Sequence, residues 1–395
     1  MGADSSANVS RMDRVGWHPR VIAVWVSLVA ALVGDGAAQA RVDLPRATTL
    51  VRPPAPYAVP AGSLRVSTSD QLAQALAHSR RTNIVLAAGV YDHRTPFYVR
   101  NGERLYAAGL GKVVLRAGIV LGGNSGRAFP LIRGLHFDVR DAGRTLLGDV
   151  VHVWGSARNA RVLDTTIAGH GRIDSGIVVR EPEGFVAKRI VVRGFRSYGV
   201  LVDPNRPGYR GRRPYRLEDV AVSGVFRPSP GSSNGTAEAC FWLGSRGTVS
   251  RASARRCGLA GVWTGSANTG SLLEDVEIDA APVGIYLEHF TRGATFQRLR
   301  VGPNVSRGVN AEWADPVWGG RPASVGNVFR DSSFTTSLVG VYLDAGTTRT
   351  SVIDSRFVGQ SWAGIGSFLG VGNHFEGNDF HGLLPGAVPI SLGHL

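Results

Sequence analysis

The sequence predicts an all-β fold that forms a parallel β-solenoid, in which short strands stack coil upon coil. A glycine-led strand pattern recurs with a basic period of 23 or 24 residues, and the repeat unit holds no helical pattern. The composition agrees, since 52 glycines and 19% charged residues are unlike a helical bundle, and 43% hydrophobic residues are unlike a disordered chain. A unit of this size cannot bury its own apolar side, so the units must stack.

Two strands alternate along the chain. The first strand pattern is a glycine followed by an apolar residue, any residue, an apolar or small residue and a polar residue. It begins at Gly176, Gly199, Gly261, Gly284, Gly308, Gly340 and Gly364, and Cys240 takes the place of the glycine between Gly199 and Gly261. The second ends on an apolar residue, at Ile167, Val192, Val222, Ile278, Val301, Phe334, Phe357 and Phe380. Leucine-rich repeats need a Leu/Asn pattern that is missing, and a propeller blade needs about forty residues.

Residues 1–40 are predicted to be a secretory signal peptide, with the start at Met1 or Met12. A basic stretch leads into an apolar segment at 21–33 and then into the small-residue site Ala38-Gln39-Ala40. The apolar segment is too short to anchor stably across a hydrocarbon layer of roughly 30 Å, although an uncleaved anchor is the alternative. We expect a protein that is secreted or held in the cell envelope, with a Pro-rich leader at 41–62, the solenoid at 63–385 and a tail at 386–395.

The mature chain is predicted to be strongly basic and to keep both cysteines. The formal net charge is +14, from 44 basic and 30 acidic residues, which favours anionic partners. In an oxidising compartment Cys240 and Cys257 could form a disulfide, and the alternative is two separate buried thiols.

The segment that enters the solenoid is its most specific part. Leu64-Arg-Val-Ser-Thr-Ser-Asp-Gln-Leu-Ala-Gln-Ala-Leu precedes Asn83-Ile-Val-Leu-Ala-Ala-Gly-Val-Tyr. Over roughly residues 63–385 the chain resembles the right-handed parallel β-helix superfamily of pectate lyases and related polysaccharide lyases, hydrolases and epimerases. The resemblance implies a short N-terminal helix that caps the first coil. Ser69 is a suitable N-cap for it, and Leu72, Ala75 and Leu76 form one apolar stripe.

Strand alternation separates inward from outward positions. The residue after each glycine is β-branched and is expected in the core, as at Ile177, Val200, Val262, Ile285, Val309, Val341 and Ile365. Two positions after the glycine, facing out, come Leu201, Trp263, Tyr286, Asn310 and Tyr342. Four positions after it, also facing out, come Asp203, Glu288, Glu312 and Asp344.

The outward acids are candidate catalytic residues. Adjacent coils stack at about 4.8 Å, so Glu288 and Glu312 are neighbours, and Asp344 lies about twice that from Glu288. These separations suit the carboxylate pair of a glycosidase. They equally suit a Ca²⁺ site formed by the same three acids, and the third possibility is a solvated turn ladder without a ligand. Close carboxylates repel, and Arg292, Arg307 and Arg321 are candidates to neutralise them.

The residues around the acids are predicted to bind substrate. Trp263, Tyr286 and Tyr342 offer flat apolar area for sugar rings. Two insertions, at 204–216 and 313–325, leave the same corner of the solenoid and could form the walls of a cleft. Their candidate binding residues are Arg210, Arg212 and Arg213 in the first and Trp313 and Trp318 in the second, with Asp203 beside them.

A second polar cluster lies upstream and contains His152, His170, Arg172, Asp174, Arg180, Arg193, Arg196 and Tyr198. A lyase acting on a uronic acid needs groups that neutralise the carboxylate, remove a proton and protonate the leaving oxygen, and Arg, His and Tyr can do this. Tyr198-Gly199 followed by Asp203-Pro204 is similar to the Tyr-Gly-x-Asp-Pro-His signature of mannuronan epimerases. The spacing is longer, and Asn205 replaces the histidine.

Together these patterns predict an exported carbohydrate-active enzyme, a polysaccharide lyase or glycoside hydrolase, acting on an acidic polysaccharide. The alternative is a non-catalytic glycan-binding or structural cell-surface β-helix protein. We expect a monomer with no transmembrane segment in the mature chain, no role in nucleic-acid binding, and no cofactor other than the candidate Ca²⁺.

Overall fold

The computed structural model describes residues 51–78, 82–122, 129–204, 213–225, 238–265, 268–288, 290–311 and 324–393. The predicted signal peptide lies outside them. Within the described residues the strands form parallel sheets of 21, 12 and 3 strands. None of the helices in this part of the chain is long and apolar enough to cross a membrane.

In the described part of the chain the elements are short strands, with one α-helix between the first two strands. In chain order they are β1 (Leu64–Val66), α1 (Ser69–His78), β2 (Asn83–Leu86), β3 (Gly89–Tyr91), β4 (Phe97–Val99), β5 (Arg104–Ala107), β6 (Val113–Leu115), β7 (Ile119–Leu121), β8 (Leu131–Arg133), β9 (His136–Asp138), a 3₁₀ helix (Ala142–Arg144), β10 (Asp149–Val153), β11 (Arg161–Leu163), β12 (Thr166–Ala168), β13 (Ser175–Arg180), β14 (Val186–Phe195), β15 (Tyr198–Asp203), β16 (Tyr215–Val225), β17 (Ala239–Leu243) and β18 (Gly247–Cys257). The remaining strands are β19 (Ala260–Thr264), β20 (Leu272–Asp279), β21 (Ala281–Leu287), β22 (Thr291–Arg292), β23 (Thr295–Gln297), β24 (Arg300–Val301), β25 (Val305–Ala311), β26 (Ser324–Val325), β27 (Val328–Arg330), β28 (Ser333–Thr335), β29 (Val339–Leu343), β30 (Thr347–Thr348), β31 (Ser351–Ile353), β32 (Arg356–Val358), β33 (Ala363–Ser367), β34 (His374–Glu376), β35 (Asp379–Gly382) and β36 (Val388–Ser391).

Each coil contributes one strand to the twelve-stranded sheet, whose order is β4, β7, β10, β13, β15, β17, β19, β21, β25, β29, β33 and β36. The other strands of the coil join the 21-stranded sheet, and β22, β26 and β30 form the small third sheet. In the middle coils two short strands fuse into one long strand, as in β14, β16 and β18. This is the parallel β-helix that the repeat predicts.

Helix α1 occupies Ser69–His78, where the sequence predicts a helix, and its Leu72 and Leu76 are buried. The predicted N-cap is wrong by one residue. The Thr68 hydroxyl accepts the backbone N–H of Gln71 at 3.2 Å, so Thr68 is the cap, and Ser69 instead accepts the N–H of Asp92 at 2.9 Å. The role of α1 as a cap for the first coil stays a prediction.

Seven strands of the twelve-stranded sheet contain the repeat glycine as their second or fourth residue, directly before the β-branched inward residue: β13, β15, β19, β21, β25, β29 and β33. A Cβ on Gly308 would lie 2.2 Å from the carbonyl oxygen of Gly340 and 2.6 Å from the ring of Phe334. Since real Cβ atoms do not approach so closely, glycine is required there. Val309, the next residue, is fully buried, as the repeat predicts.

Cys240 occupies the place of one of these glycines and forms a disulfide with Cys257, the last residue of β18. Both cysteines belong to the main hydrophobic core. The bond decides between the two alternatives that the sequence left open. In this coil the Cys240 side chain therefore occupies the glycine position and points into the core, where it is bonded to Cys257.

Residues at both ends of the described chain contact the coils. Residues 51–62 of the predicted leader lie against the coils, since the Tyr57 hydroxyl is 2.8 Å from the carbonyl oxygen of Ala107, and the Arg133 guanidinium lies 4.2 Å from the Tyr57 ring centre. At the other end β36 pairs with β33, so strand pairing continues to Ser391, within the predicted tail. Side-chain alternation alone indicates neither contact.

We expect the double substitution Cys240→Ala and Cys257→Ala to lower the free energy of unfolding by about 3 kcal/mol, because the closed loop restricts the unfolded chain. Urea unfolding of the oxidised wild type and the variant measures this. The chain has 2 cysteines in all, so reduced wild type is the matched control and should unfold at a similar urea concentration. Equal midpoints for oxidised wild type and variant would contradict the expectation.

Candidate functional site

The outward face of the twelve-stranded sheet carries a column of large side chains. Trp242, Trp263, Tyr286, Asn310 and Tyr342 are register partners on successive strands from β17 to β29. The predicted outward position therefore holds on each of these strands. Four of the five are half-buried, and Tyr342 is buried, so the column forms the floor of a surface and does not project from it.

Trp242 extends the aromatic platform and is missing from the sequence prediction. Its indole lies over two glycines, because a Cβ built on Gly244 or Gly265 would come within 2.4 or 2.3 Å of it. The next two rings, Trp263 and Tyr286, meet edge to face at 4.7 Å between centroids. The repeat at this coil begins with Cys240 and not glycine, and counting two residues onward from Cys240 would have found the tryptophan.

Glu288 lies at the edge of this platform, two residues after Tyr286. The indole N–H of Trp263 donates a hydrogen bond to Glu288 Oε2 at 3.0 Å. Burial raises the pKa of Glu288, and the hydrogen bond from Trp263 opposes this without cancelling it. The carboxyl group therefore holds its proton to a higher pH than an exposed glutamate, which is a property of general acids.

Tyr198, one residue before Gly199, belongs to the same electrostatic neighbourhood. Burial raises its pKa to about 12, and the negative charges of Glu288 and Asp203 act in the same direction. Asp203 is in turn paired with Arg180 of the preceding coil. Tyr198 thus stays protonated and can donate, but not accept, a proton at neutral pH.

Arg307 brings a positive charge to the other end of the platform. Its Nη1 donates to Asn310 Oδ1 at 2.9 Å, and its guanidinium lies 5.5 Å from the Tyr342 ring centre. Burial lowers the pKa of Arg307, and the proximity of Tyr342 and Asp344 partly offsets this effect. Three arginines are predicted to neutralise the acids: Arg307 lies near Asp344, and Arg321 lies outside the described residues.

Asp344 follows Tyr342 on β29, two strands from Glu288 on β21, which corresponds to about 9.6 Å along the axis. Its Oδ1 accepts the backbone N–H of Ala345 at 2.7 Å. Glu312, which the sequence places between the two, lies outside the described residues. Among the residues that the structure describes, no three His, Cys, Asp or Glu side chains are grouped to hold a metal ion, so Ca²⁺ at these acids stays a prediction.

The predicted cleft walls are largely outside the described part of the chain, namely Arg210, Arg212, Trp313 and Trp318. Arg213 is described and lies at the corner leading to β16. Its guanidinium donates to Asn159 Oδ1 at 3.1 Å, two coils back.

The upstream polar cluster is divided between two faces of the helix. His152 lies on the outward face of the twelve-stranded sheet, fully buried, with its Nδ1 2.8 Å from Asp149 Oδ2. His170 lies beside the 21-stranded sheet instead, paired with Asp138 of β9. The structure therefore does not assemble these residues into one site. Tyr198 feels the charge of Glu288, whereas Arg180 pairs with Asp203.

We expect Glu288→Gln to stabilise the protein at pH 7, because a buried carboxyl with a raised pKa costs stability where it must ionise. The contribution of Glu288 to the free energy of unfolding is fully present below the unfolded pKa near 4.3. It is lost as the pH rises through the pKa of Glu288 in the folded protein. The melting temperature should rise on the order of 1 °C at pH 7, with no difference near pH 4.

The exposed Glu376→Gln is the matched control and should change neither value. A Glu288→Gln variant that melts lower than wild type at pH 7 would contradict the raised pKa.

Three solved structures share the architecture. The catalytic domain of a GH87 alpha-1,3-glucanase, in complex with tetrasaccharides, superposes with a TM-score of 0.53 at 12% identity, over 84% of this chain and 71% of the glucanase. The PL6 family alginate lyase AlyGC gives 0.52 at 13% identity, over 83% of this chain and 51% of the lyase. PfbA, a surface adhesin of Streptococcus pneumoniae, gives 0.50 at 9% identity, over 80% of this chain and 93% of the adhesin.

The chain thus spans about half the length of the alginate lyase. No family model matches the sequence, and no curated protein matches it either. At these identities the likeness establishes the fold alone. The chain has the right-handed parallel β-helix fold that the glucanase, the lyase and the adhesin share.

Proposed function

We propose that the protein is an exported enzyme that cleaves glycosidic bonds of an acidic polysaccharide on the outward face of the twelve-stranded sheet. The observation that carries this proposal is the Glu288 carboxyl, which is buried, accepts the indole N–H of Trp263 at 3.0 Å and has a pKa raised by that burial. Glu288 is the proton donor, and the half-buried rings of Trp242, Trp263 and Tyr286 hold the sugar rings.

Cleavage of a glycosidic bond requires that the leaving oxygen receive a proton, in a hydrolase and in a lyase alike. Burial prepares Glu288 for this step, because it raises the pKa of the carboxyl group. Asp344, two strands away, is the partner carboxylate in a hydrolase of the inverting kind, because about 9.6 Å leaves room for a water between the two groups. Glu312 is the closer candidate partner, from the coil between them.

The acidic nature of the substrate rests on the cations around the platform. Arg307 lies beside Tyr342 and Asp344, and Arg180 lies beyond the glycines on the Asp203 side. A uronic acid or sulfated sugar would meet a guanidinium at either end of the platform. The formal net charge of +14 draws such polymers to the protein.

The comparisons support a carbohydrate substrate without identifying it. The glucanase is named for an alpha-1,3-glucan and was solved with tetrasaccharides, and the lyase is named for alginate. Ca²⁺ remains a candidate ligand for Glu288, Glu312 and Asp344. It would supply a positive charge to bind a substrate carboxylate, and its role is tested by chelation.

The first experiment incubates the protein with pectins, alginates, glycosaminoglycans and neutral glycans, with Ca²⁺ or with a chelator, and follows reducing ends and unsaturated-sugar absorbance. We expect new ends from an acidic polymer, with absorbance for a lyase and without it for a hydrolase. Saturable binding without product, from folded protein, would reject the enzyme in favour of a glycan-binding protein. Neither binding nor product would favour a structural solenoid.

Glu288→Gln should reduce turnover of the polymer by about 10²–10⁴-fold, because the amide cannot give up a proton. Binding should change little, since the platform remains. The matched control is Glu376→Gln, at an exposed glutamate on β34, which should retain wild-type turnover. Equal turnover by Glu288→Gln and wild type would exclude Glu288 as the proton donor.

The pH profile gives a separate test of the same residue. Activity should fall as pH rises through the pKa of Glu288, because the acid must be protonated. Trp263→Phe removes a hydrogen bond that favours the ionised form, so this fall should move to higher pH. Trp154→Phe, four strands away on the same face, is the control and should leave the profile in place. A shift to lower pH in Trp263→Phe would oppose the assignment.

A further inference from the structure

A row of arginines lies on the outward face of the 21-stranded sheet, at the start of its first strand segment. Arg104 on β5, Arg161 on β11 and Arg216 on β16 are joined in register through Leu131 and Val186. Successive arginines are therefore two coils, or about 9.6 Å, apart. We call these three residues the arginine column. Its last two members are exposed, and the first is half-buried.

The described part of the chain does not neutralise the arginine column. None of the three arginines forms an ion pair with an Asp or Glu side chain that the structure describes, whereas cations two residues farther along these strands do. Lys188 lies 2.8 Å from Glu218, and Arg133 lies 2.7 Å from Asp164. The other register partners of the column, on both sides, carry no acid: Asn83, Thr248, Leu272, Thr295, Val328, Ser351 and His374.

Phe129 holds two of the three guanidinium groups in place. The guanidinium carbons of Arg104 and Arg161 lie 4.7 and 4.4 Å from the centre of its ring. A guanidinium that stacks on a ring keeps its N–H groups at its edge, where they can donate two parallel hydrogen bonds to a carboxylate. Because the ring already restricts these long side chains, less conformational entropy is lost when an anion binds.

Arg213, which the sequence predicts as a substrate-binding residue, lies at the same edge of the sheet. It stands three residues before Arg216, and its Nη1 donates at 3.1 Å to Oδ1 of Asn159, two residues before Arg161. Gly184 makes room for this contact, because a Cβ there would lie 2.5 Å from Asn159 Oδ1. A fourth guanidinium is thereby held at the corner that precedes the arginine column.

Residues 52–55 of the amino-terminal segment lie at the other end of these strands. The backbone N–H of Ala55 donates to Asp164 Oδ1 at 3.0 Å, and that of Arg52 donates to Asp219 Oδ1 at 3.2 Å. Each of these aspartates stands three residues after an arginine of the column. The segment therefore crosses the coils along the aspartates and leaves the last two arginines of the column exposed.

The two-coil spacing matches an extended acidic polysaccharide. The length of a pyranose residue is close to one coil spacing, about 4.8 Å, so a chain along the solenoid axis places one sugar on each coil. Where every second sugar carries a carboxylate, the carboxylates repeat every two coils, as the arginines do, and the sugars between them lie over Leu131 and Val186. Proteins that bind single-stranded nucleic acid offer aromatic rings to the bases, whereas the Phe129 ring is occupied by guanidinium groups.

We propose that the arginine column, together with Arg213, is a binding site for an extended acidic polysaccharide that carries one carboxylate on every second sugar. Arg104, Arg161 and Arg216 each bind one carboxylate, and the polymer runs parallel to the solenoid axis. The site lies on a different sheet from the aromatic platform. It holds polymer without a reaction and does not depend on the enzyme activity proposed above.

Binding of fluorescent oligosaccharides to the full chain, followed by anisotropy, tests the proposal. The probe is a hyaluronan hexasaccharide, which has a carboxylate on every second sugar, and the matched control is a neutral chitin oligosaccharide of equal length. We expect saturable 1:1 binding of hyaluronan, weakened by salt, and binding of the chitin oligosaccharide that is weaker by about tenfold or more. Equal binding of the two, or binding of neither, would overturn the proposal. Tighter binding of an oligothymidylate of the same length would overturn it in favour of a nucleic-acid site.

Variants of the protein locate the site. Arg161→Gln and Arg216→Gln each remove one guanidinium and should weaken hyaluronan binding about fivefold or more, because a charge-assisted hydrogen bond is lost. Arg300→Gln is the matched control, at an exposed arginine of β24 in the same sheet, and should bind like wild type. Unchanged binding in both test variants, or an equal loss in the control, would refute the site.

Trp263→Ala separates this site from the platform. It removes a ring that holds substrate in the proposed enzyme, and this variant should bind hyaluronan like wild type. A loss of hyaluronan binding in Trp263→Ala, without one in Arg161→Gln, would place the polymer on the platform and overturn the proposal. Failure of the enzyme proposal shows instead as absent turnover, which these binding measurements do not use.

Discussion

Close approach between successive coils, at the repeat glycine of seven strands of the twelve-stranded sheet, is the constraint on which the rest of the structure depends. At Gly308 there is no room for a side chain, because a Cβ would lie 2.2 Å from the Gly340 carbonyl oxygen. The requirement fixes the strands in register. Once the register is fixed, every later position of the strand forms a straight column, and the outward columns become a surface.

The aromatic platform depends on that register, and its chemistry depends on the exclusion of water from Glu288. Gly244 and Gly265 stand between Asp203 and Glu288 in the outward column that carries the acids. Because they have no side chains, the Trp242 indole lies over them and forms an apolar area between the two acids. Water is displaced from Glu288 by aromatic rings, and its pKa rises as a result. A continuous ladder of acids would instead be wet and ionised, or would need a cation.

Alternation and period were sufficient to predict the coils, the inward residues and the outward position of Trp263, Glu288 and Asp344. They did not find Trp242, because the covalent bond of Cys240 replaced the glycine that marks the repeat. They also separated the segment at 51–62 from the solenoid, since its contact with Asp164 and Asp219 is made by backbone N–H groups that side-chain patterns do not display. The insertions, which have no period, gave no basis for placing their side chains.

Aspartate and arginine alternate from coil to coil at one corner of the solenoid, and each aspartate pairs with the arginine of the next coil: Asp164 with Arg189, Asp219 with Arg251 and Asp275 with Arg298. This alternation restricts how such a protein can change its length. Removing one coil between Asp164 and Asp275 would bring two aspartates or two arginines into neighbouring positions, with the loss of an ion pair and a new repulsion. Removing or duplicating two coils preserves every pair. In this part of the chain, the ion pairs are therefore compatible with the insertion or deletion of two coils and not of one.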